Sequence, residues 1–117
     1  MKVADYHRQG LRRYVDAPPE GYQPLGEEAR RGVHRVAFFA QVANGQLADV
    51  RFTSSKRCRK LLALADVAAE RLQGQPAQGF HLEADDLLAF FAEERDKAKM
   101  ADRLSLIFEA LHLPSFQ

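Results

Sequence analysis

Cys58 is the only cysteine in the chain, and it lies in the run Lys56-Arg57-Cys58-Arg59-Lys60. Four cations around one thiol favour the thiolate, the form that attacks electrophiles and binds metals. Such a thiol could accept sulfur as a persulfide or respond to oxidants. It is equally a small apolar residue suited to the top of a helical stripe. His7, His81 and His112 have no partners at metal-ligand spacing, and the carboxylates Asp85, Asp86, Glu93 and Glu94 read as helix ends and a solvated face. There is no glycine-rich phosphate loop and no nucleophile elbow. Catalysis in its own right is therefore not expected.

The elements that must position Cys58 can be read from periodicity. Residues 33–43 alternate, with Val36, Phe38, Ala40 and Val42 on one face. Asn44-Gly45 follows, a hairpin signal because both residues accept positive φ. A second strand runs from Gln46 to Thr53, with Ala48, Val50 and Phe52 on one face and Leu47, Asp49, Arg51 and Thr53 on the other. The next helix is expected over residues 55–73, capped by Ser54 or Ser55 and ended at Gly74, with Cys58 in its first turn. Its apolar stripe is Cys58, Leu61, Leu62, Ala65, Ala68, Ala69 and Leu72.

Upstream, Val3, Tyr6, Leu11, Tyr14 and Val15 predict a helix over residues 3–15, ended by Pro18-Pro19. Residues 20–32 read as loop or a short edge strand. Downstream, helices are expected over residues 83–94 and 96–112, with Phe90 and Phe91 as core and Pro114 as the stop. Helix, strands, then helices define an α+β class: a small antiparallel sheet of about three strands with helices packed on one face.

Composition bounds the function. A chain of 117 residues fits a single domain, 1–117. Apolar residues make up 46% and charged residues 28%, which fits a folded chain rather than a disordered one. No apolar run approaches the ~20 residues of a membrane span. Lys2, Asp5, His7 and Arg8 do not read as a secretory signal, and one cysteine excludes an internal disulfide framework, so a cytoplasmic location is expected. Net charge is only +1, so the case for an anionic partner rests on where the cations sit. No aromatic residue interleaves the cations around Cys58, which argues against stacking on nucleic acid.

The segment Gly45 to Phe52, then Cys58 to Gln75, resembles the NifU/IscU-type iron–sulfur cluster assembly scaffold. Lys97-Ala98-Lys99-Met100 followed by Leu104 to Leu111 is similar to the family's last helix, which opens with Lys-x-His-Cys. The resemblance implies a SufE/NifU-like fold and a place in iron–sulfur assembly, with a cysteine desulfurase or another assembly protein as partner. It also implies a cluster site of three cysteines and an aspartate. In this chain the first cysteine position falls at Arg31 or Gly32, the second is Cys58 and the third is Met100, with Lys99 in place of the histidine. The aspartate position falls near Val33 or His34, the Gly-Cys-Gly around the second ligand reads Arg57-Cys58-Arg59, and Ala92 to Lys97 stands where many scaffolds have Leu-Pro-Pro-Val-Lys.

The site implied is thus a degenerate one. A single thiolate does not hold a cluster within one subunit. A methionine thioether is a poor ligand for ferric iron or zinc, and arginine cannot ligate. No cofactor is expected per subunit. By resemblance alone, two subunits could share a cluster through paired Cys58 residues, or His34 and Cys58 could take zinc with help from Asp102. The alternative is a non-enzymatic binding module. If the three ligand loops meet, Arg31 with Arg30, then Lys56, Arg57, Arg59 and Lys60, then Lys97 and Lys99 make a basic pole fit for an anionic ligand or an acidic protein face.

Overall fold

The alternation that begins at residue 33 becomes the middle strand of a three-stranded antiparallel sheet. The computed structural model describes residues 1–116. Strand β1 (Gln23–Arg31) pairs with β2 (His34–Ala43), and β2 pairs with β3 (Gln46–Ser54). Asn44 at φ 54° and Gly45 at φ 74° make the tight turn between β2 and β3, as their residue types require. Val36, Phe38 and Ala40 meet Val50 and Phe52 on the buried face. Helices α2 (Arg59–Leu72) and α4 (Lys97–Ala110) pack there, with α1 (Val3–Gln9) and α3 (Ala84–Phe90) beside α2. This is the expected α+β arrangement.

Strict alternation fails at one point. Gln41 pairs with Asp49 but Val42 pairs with Leu47, so β3 carries an extra residue at Ala48. The slip turns Leu47 into the core and leaves Val42 and Ala48 exposed, the reverse of the faces read from an even period. Residues 23–31 also exceed the loop or short edge strand that was expected. They form a nine-residue edge strand with an irregularity between Leu25 and Ala29. Gly26 lies there at φ 72°, and a Cβ on it would come within 2.0 Å of the Ala110 carbonyl oxygen. Only glycine lets β1 close on the end of α4.

Helix α2 is the centre of the molecule. Every residue from Leu61 to Ala69 is buried, so the helix is covered on all sides rather than along one stripe. Each of its fully buried leucines contributes on the order of 1.5–3 kcal/mol from burial. The helix starts later than expected. Ser54 belongs to β3, and Ser55 exchanges hydrogen bonds with Arg35: its hydroxyl accepts the Arg35 N–H at 3.1 Å and its own N–H donates to the Arg35 carbonyl at 3.1 Å. Both serines are thus tied to the strand end, and Cys58, at φ −115° and ψ 102°, becomes the N-cap. At the other end Gly74 takes φ 90° and donates to the Leu47 carbonyl at 2.8 Å, so the left-handed stop is as read.

The first helix ends at Gln9, not near residue 15, because Gly10 adopts φ 99°. The chain then runs along β3, where Val15 donates to the Phe52 carbonyl at 2.9 Å and Phe52 donates to the Arg13 carbonyl at 3.0 Å. This course is fixed from beneath by Asp66 of α2, which is 1% exposed. Its carboxylate accepts from the backbone N–H of Arg12 at 2.9 Å, the N–H of Arg13 at 2.7 Å and the Tyr6 hydroxyl at 2.5 Å. A buried carboxylate persists only when its oxygens are satisfied in this way. Helices α3 and α4 are shorter than read. The Asp96 carboxylate caps α4 by accepting the Lys99 N–H at 3.0 Å. Phe91 is core, whereas Phe90 is only partly buried against Tyr6. Among the described residues, no helix is long and apolar enough to cross a membrane.

Candidate functional site

Three elements converge on Cys58. The N-cap of α2 supplies the thiol, the start of β2 supplies His34, and the first two turns of α4 supply Lys99 and Arg103. Together with Arg57, Arg59 and Lys60 they surround a cavity of about 350 Å3, closed on its α1 side by Val3, Ala4 and Glu94. A larger groove of about 490 Å3, between Pro18, Pro24, Ala37 and Phe39, is lined by neither thiol nor histidine. The site chemistry lies in the smaller cavity.

Arg103 is the residue that the sequence reading missed. Its Nε–H donates to Cys58 Sγ at 3.3 Å, and its other nitrogen pairs with Asp102 at 2.5 Å. Burial opposes its charge, but the bonds to Cys58 and Asp102 outweigh that and raise its pKa. The signal was present in the spacing. Arg103 is four residues beyond Lys99, so the two lie on one face of α4. Asp102 also accepts from Arg31 at 2.8 Å, and Ser105 accepts from the same guanidinium at 2.9 Å. The bonds Arg31–Asp102–Arg103–Cys58 therefore join the end of β1, α4 and the start of α2.

The other cations divide into paired and unpaired. Lys56 turns away to Asp16 at 3.4 Å and lies over the Tyr14 ring. Arg30 pairs with Glu28 at 2.6 Å. Lys97 donates to the Ala92 carbonyl. Lys60 pairs with Glu94 at 3.5 Å, and Glu94 also accepts the Val3 N–H at 3.0 Å, so this carboxylate is an internal tie and not part of a solvated face. Among the described residues, Arg57, Arg59 and Lys99 are exposed and make no ion pair or side-chain hydrogen bond. The basic pole is therefore narrower than the sequence implied: Arg57, Arg59, Lys60 and Lys99 face the cavity with Arg103, while Arg31, Lys56 and Lys97 are engaged elsewhere.

His34 does reach the Cys58 cavity, but as a neutral ring. Burial lowers its pKa, the Arg103 and Lys99 charges lower it further, and Asp102 offsets part of this. Its Nδ1 is buried without a hydrogen-bond partner. Met100, at the third ligand position of the resemblance, is 2% exposed and packed in the core. Asp102 is held by two guanidinium groups. No group of three or more His, Cys, Asp or Glu side chains suited to a metal occurs among the described residues. One thiol, one imidazole and a surplus of cations do not fit a tetrahedral zinc or a cluster held in one subunit.

No protein-family model matches the chain, and no curated protein matches it in sequence. Among solved structures, the fold is similar to a crystal structure assigned as an iron–sulfur cluster assembly scaffold protein for the SUF system, from the thermophile Fervidobacterium islandicum AW-1. The two superpose with a TM-score of 0.62 over 94% of this chain and 90% of the other, at 14% identity. The chain therefore has a scaffold-like fold. That agreement supports the architecture implied by the resemblance of residues 45–75, and at this identity it speaks to fold alone.

Proposed function

We propose that this chain is an accessory protein of iron–sulfur cluster assembly, which keeps the scaffold fold without a cluster site of its own and acts by binding rather than by catalysis. The observation that carries this reading is the place of Cys58. The thiol stands at the N-cap of α2, in a cavity shared with β2 and α4, within a fold that matches a scaffold over 94% of the chain. Around it, cations stand where a metal would need anionic or neutral donors. A cluster, if delivered, would have to be shared between two subunits through their Cys58 thiolates. A cysteine desulfurase is the partner that this role calls for.

The test combines binding with reconstitution. A purified cysteine desulfurase is expected to form a complex with the chain, weakened by about tenfold, or ~1.4 kcal/mol, in Cys58→Ser. Anaerobic incubation with iron, sulfide and the desulfurase is expected to give visible absorption only in a dimeric fraction, and none in Cys58→Ser. If no complex forms and no Cys58-dependent absorption develops, the assembly role is wrong.

A further inference from the structure

We infer that the cavity beside Cys58 is a binding site for a small tetrahedral dianion: inorganic phosphate or sulfate, or the phosphoryl end of a small metabolite. The inference goes beyond the assembly role and does not depend on it.

Charge is the first ground. The cavity is lined by five cations and by one carboxylate, Glu94, which Lys60 already occupies. Arg57, Arg59 and Lys99 have no counter-charge among the described residues. Arg103 is only partly offset by Asp102, which also serves Arg31. Like charges lining one cavity repel, and after burial the Arg103 and Lys99 charges add to what pushes the His34 ring toward neutrality. A ligand carrying two negative charges relieves this arrangement better than one carrying a single charge.

Direction is the second ground. Arg57 and Arg59 approach from the start of α2, Lys99 and Arg103 from one face of α4, and His34 from β2. Donors that converge from several sides suit an anion with oxygens in several directions. A planar carboxylate presents its oxygens in one plane. The first turn of α2 adds backbone N–H groups, because Cys58 makes no side-chain cap and no acidic residue occupies that turn. α4 differs, since Asp96 caps it.

Shape is the third ground. The groups line a concavity of about 350 Å3 rather than a flat patch. That is at the small end of the range for small-molecule sites, roughly 300–1,000 Å3. A flat acidic protein face would leave Arg103 and the Cys58 thiol, 8% exposed, out of reach.

Because Cys58 is the only cysteine, its alkylation rate reports on this cavity alone. A bound dianion competes with Cys58 Sγ for Arg103 and shields the thiol from reagent, and is expected to slow alkylation about three- to tenfold, and to raise Tm by roughly 2–5 °C, at millimolar concentration. The experiment titrates phosphate, sulfate and glycerol 3-phosphate, each against sodium chloride at equal ionic strength, with hexaglutamate as a further arm. Equal responses to phosphate and sulfate identify a free oxyanion site, and a much stronger response to glycerol 3-phosphate identifies a phosphorylated metabolite. Arg59→Gln with Lys99→Gln is expected to abolish both responses, and each single substitution, at an exposed position, to weaken them. The inference is overturned if phosphate, sulfate and glycerol 3-phosphate do no more than chloride, if only hexaglutamate responds, or if the double variant responds as the parent does. Desulfurase binding is scored separately, so the two ideas can fail independently.

Discussion

Charge is handled in opposite ways on two sides of this molecule. Beside β3, the Asp49 carboxylate is closed in by the Arg51 Nε at 2.6 Å, Arg13 at 3.2 Å and the Tyr22 hydroxyl. Beneath the N-terminal segment, three donors satisfy Asp66. In both places each carboxylate oxygen has a partner. Around Cys58 the matching breaks down: five cations line the cavity with one carboxylate, and three of them have no partner among the described residues. The matched clusters tie the N-terminal segment and the loop before β1 to the rest of the fold, and the unmatched one is where the anion is proposed to bind. Removing charge should therefore cost stability at the matched sites and leave it nearly unchanged at the unmatched one.

The largest effect is expected at Asp66. Asp66→Ala leaves two backbone N–H groups and a tyrosine hydroxyl without an acceptor, and should cost roughly 3–5 kcal/mol in urea denaturation. Tyr6→Phe, which removes one of those bonds, should cost about 1 kcal/mol. A loss under 1 kcal/mol for Asp66→Ala would mean that the N-terminal segment is held by other contacts. Asp49→Ala comes next, at about 1–2 kcal/mol, since its side chain is 19% exposed and one partner can turn to water.

Acidification separates the two regions again. Burial raises the Asp49 pKa, but hydrogen bonds from Arg51 and Tyr22 and the nearby guanidinium charges outweigh it and hold it below the ordinary carboxylate value. Its stabilisation is therefore present above about pH 4 and is lost as pH falls through the depressed folded value. His34 is also depressed, so the unfolded chain binds its proton first and stability falls from about pH 6.5 downward. Stability measured from pH 8 to pH 3 should show an upper phase that vanishes in His34→Gln and a lower phase that shrinks in Asp49→Asn. Identical curves for the parent and both variants would remove this account. The smallest effects belong to the unpaired cations. Arg59→Gln and Lys99→Gln should change stability by no more than about 0.5 kcal/mol. Arg59→Glu, at the first position of α2, should gain a few tenths, because an anion there suits the helix dipole, about 0.3–1 kcal/mol. A loss above 1 kcal/mol in either glutamine variant would show that these side chains serve the fold.

The sequence made the β2–β3 turn and the buried leucines of α2 legible, since each rests on local period or on turn chemistry, whereas the closeness of Cys58, His34 and Lys99 was implied only by the family resemblance. What it hid has a common cause. Gly10 and the donors around Asp66 end α1 early, and Ser55 delays α2 by binding Arg35, so partners distant in sequence set both boundaries. The slip at Ala48 cannot be seen in a residue that fits either face. Spacing puts Arg103 on the Lys99 face of α4, but its bond to Cys58 exists only where α4 packs against the start of α2.

The chain from Arg13 to Val15 does more than follow Asp66. It lies along the outer side of β3, and Gln46 bridges Pro76 further along the same strand. That side of the sheet is closed to additional strands. Only β1 remains for another molecule to extend, and there Pro24 withholds a donor while Glu27, Glu28 and Arg30 carry charge. Backbone-to-backbone growth of the sheet is disfavoured at both margins, so a partner of the kind proposed would have to be met through side-chain surfaces.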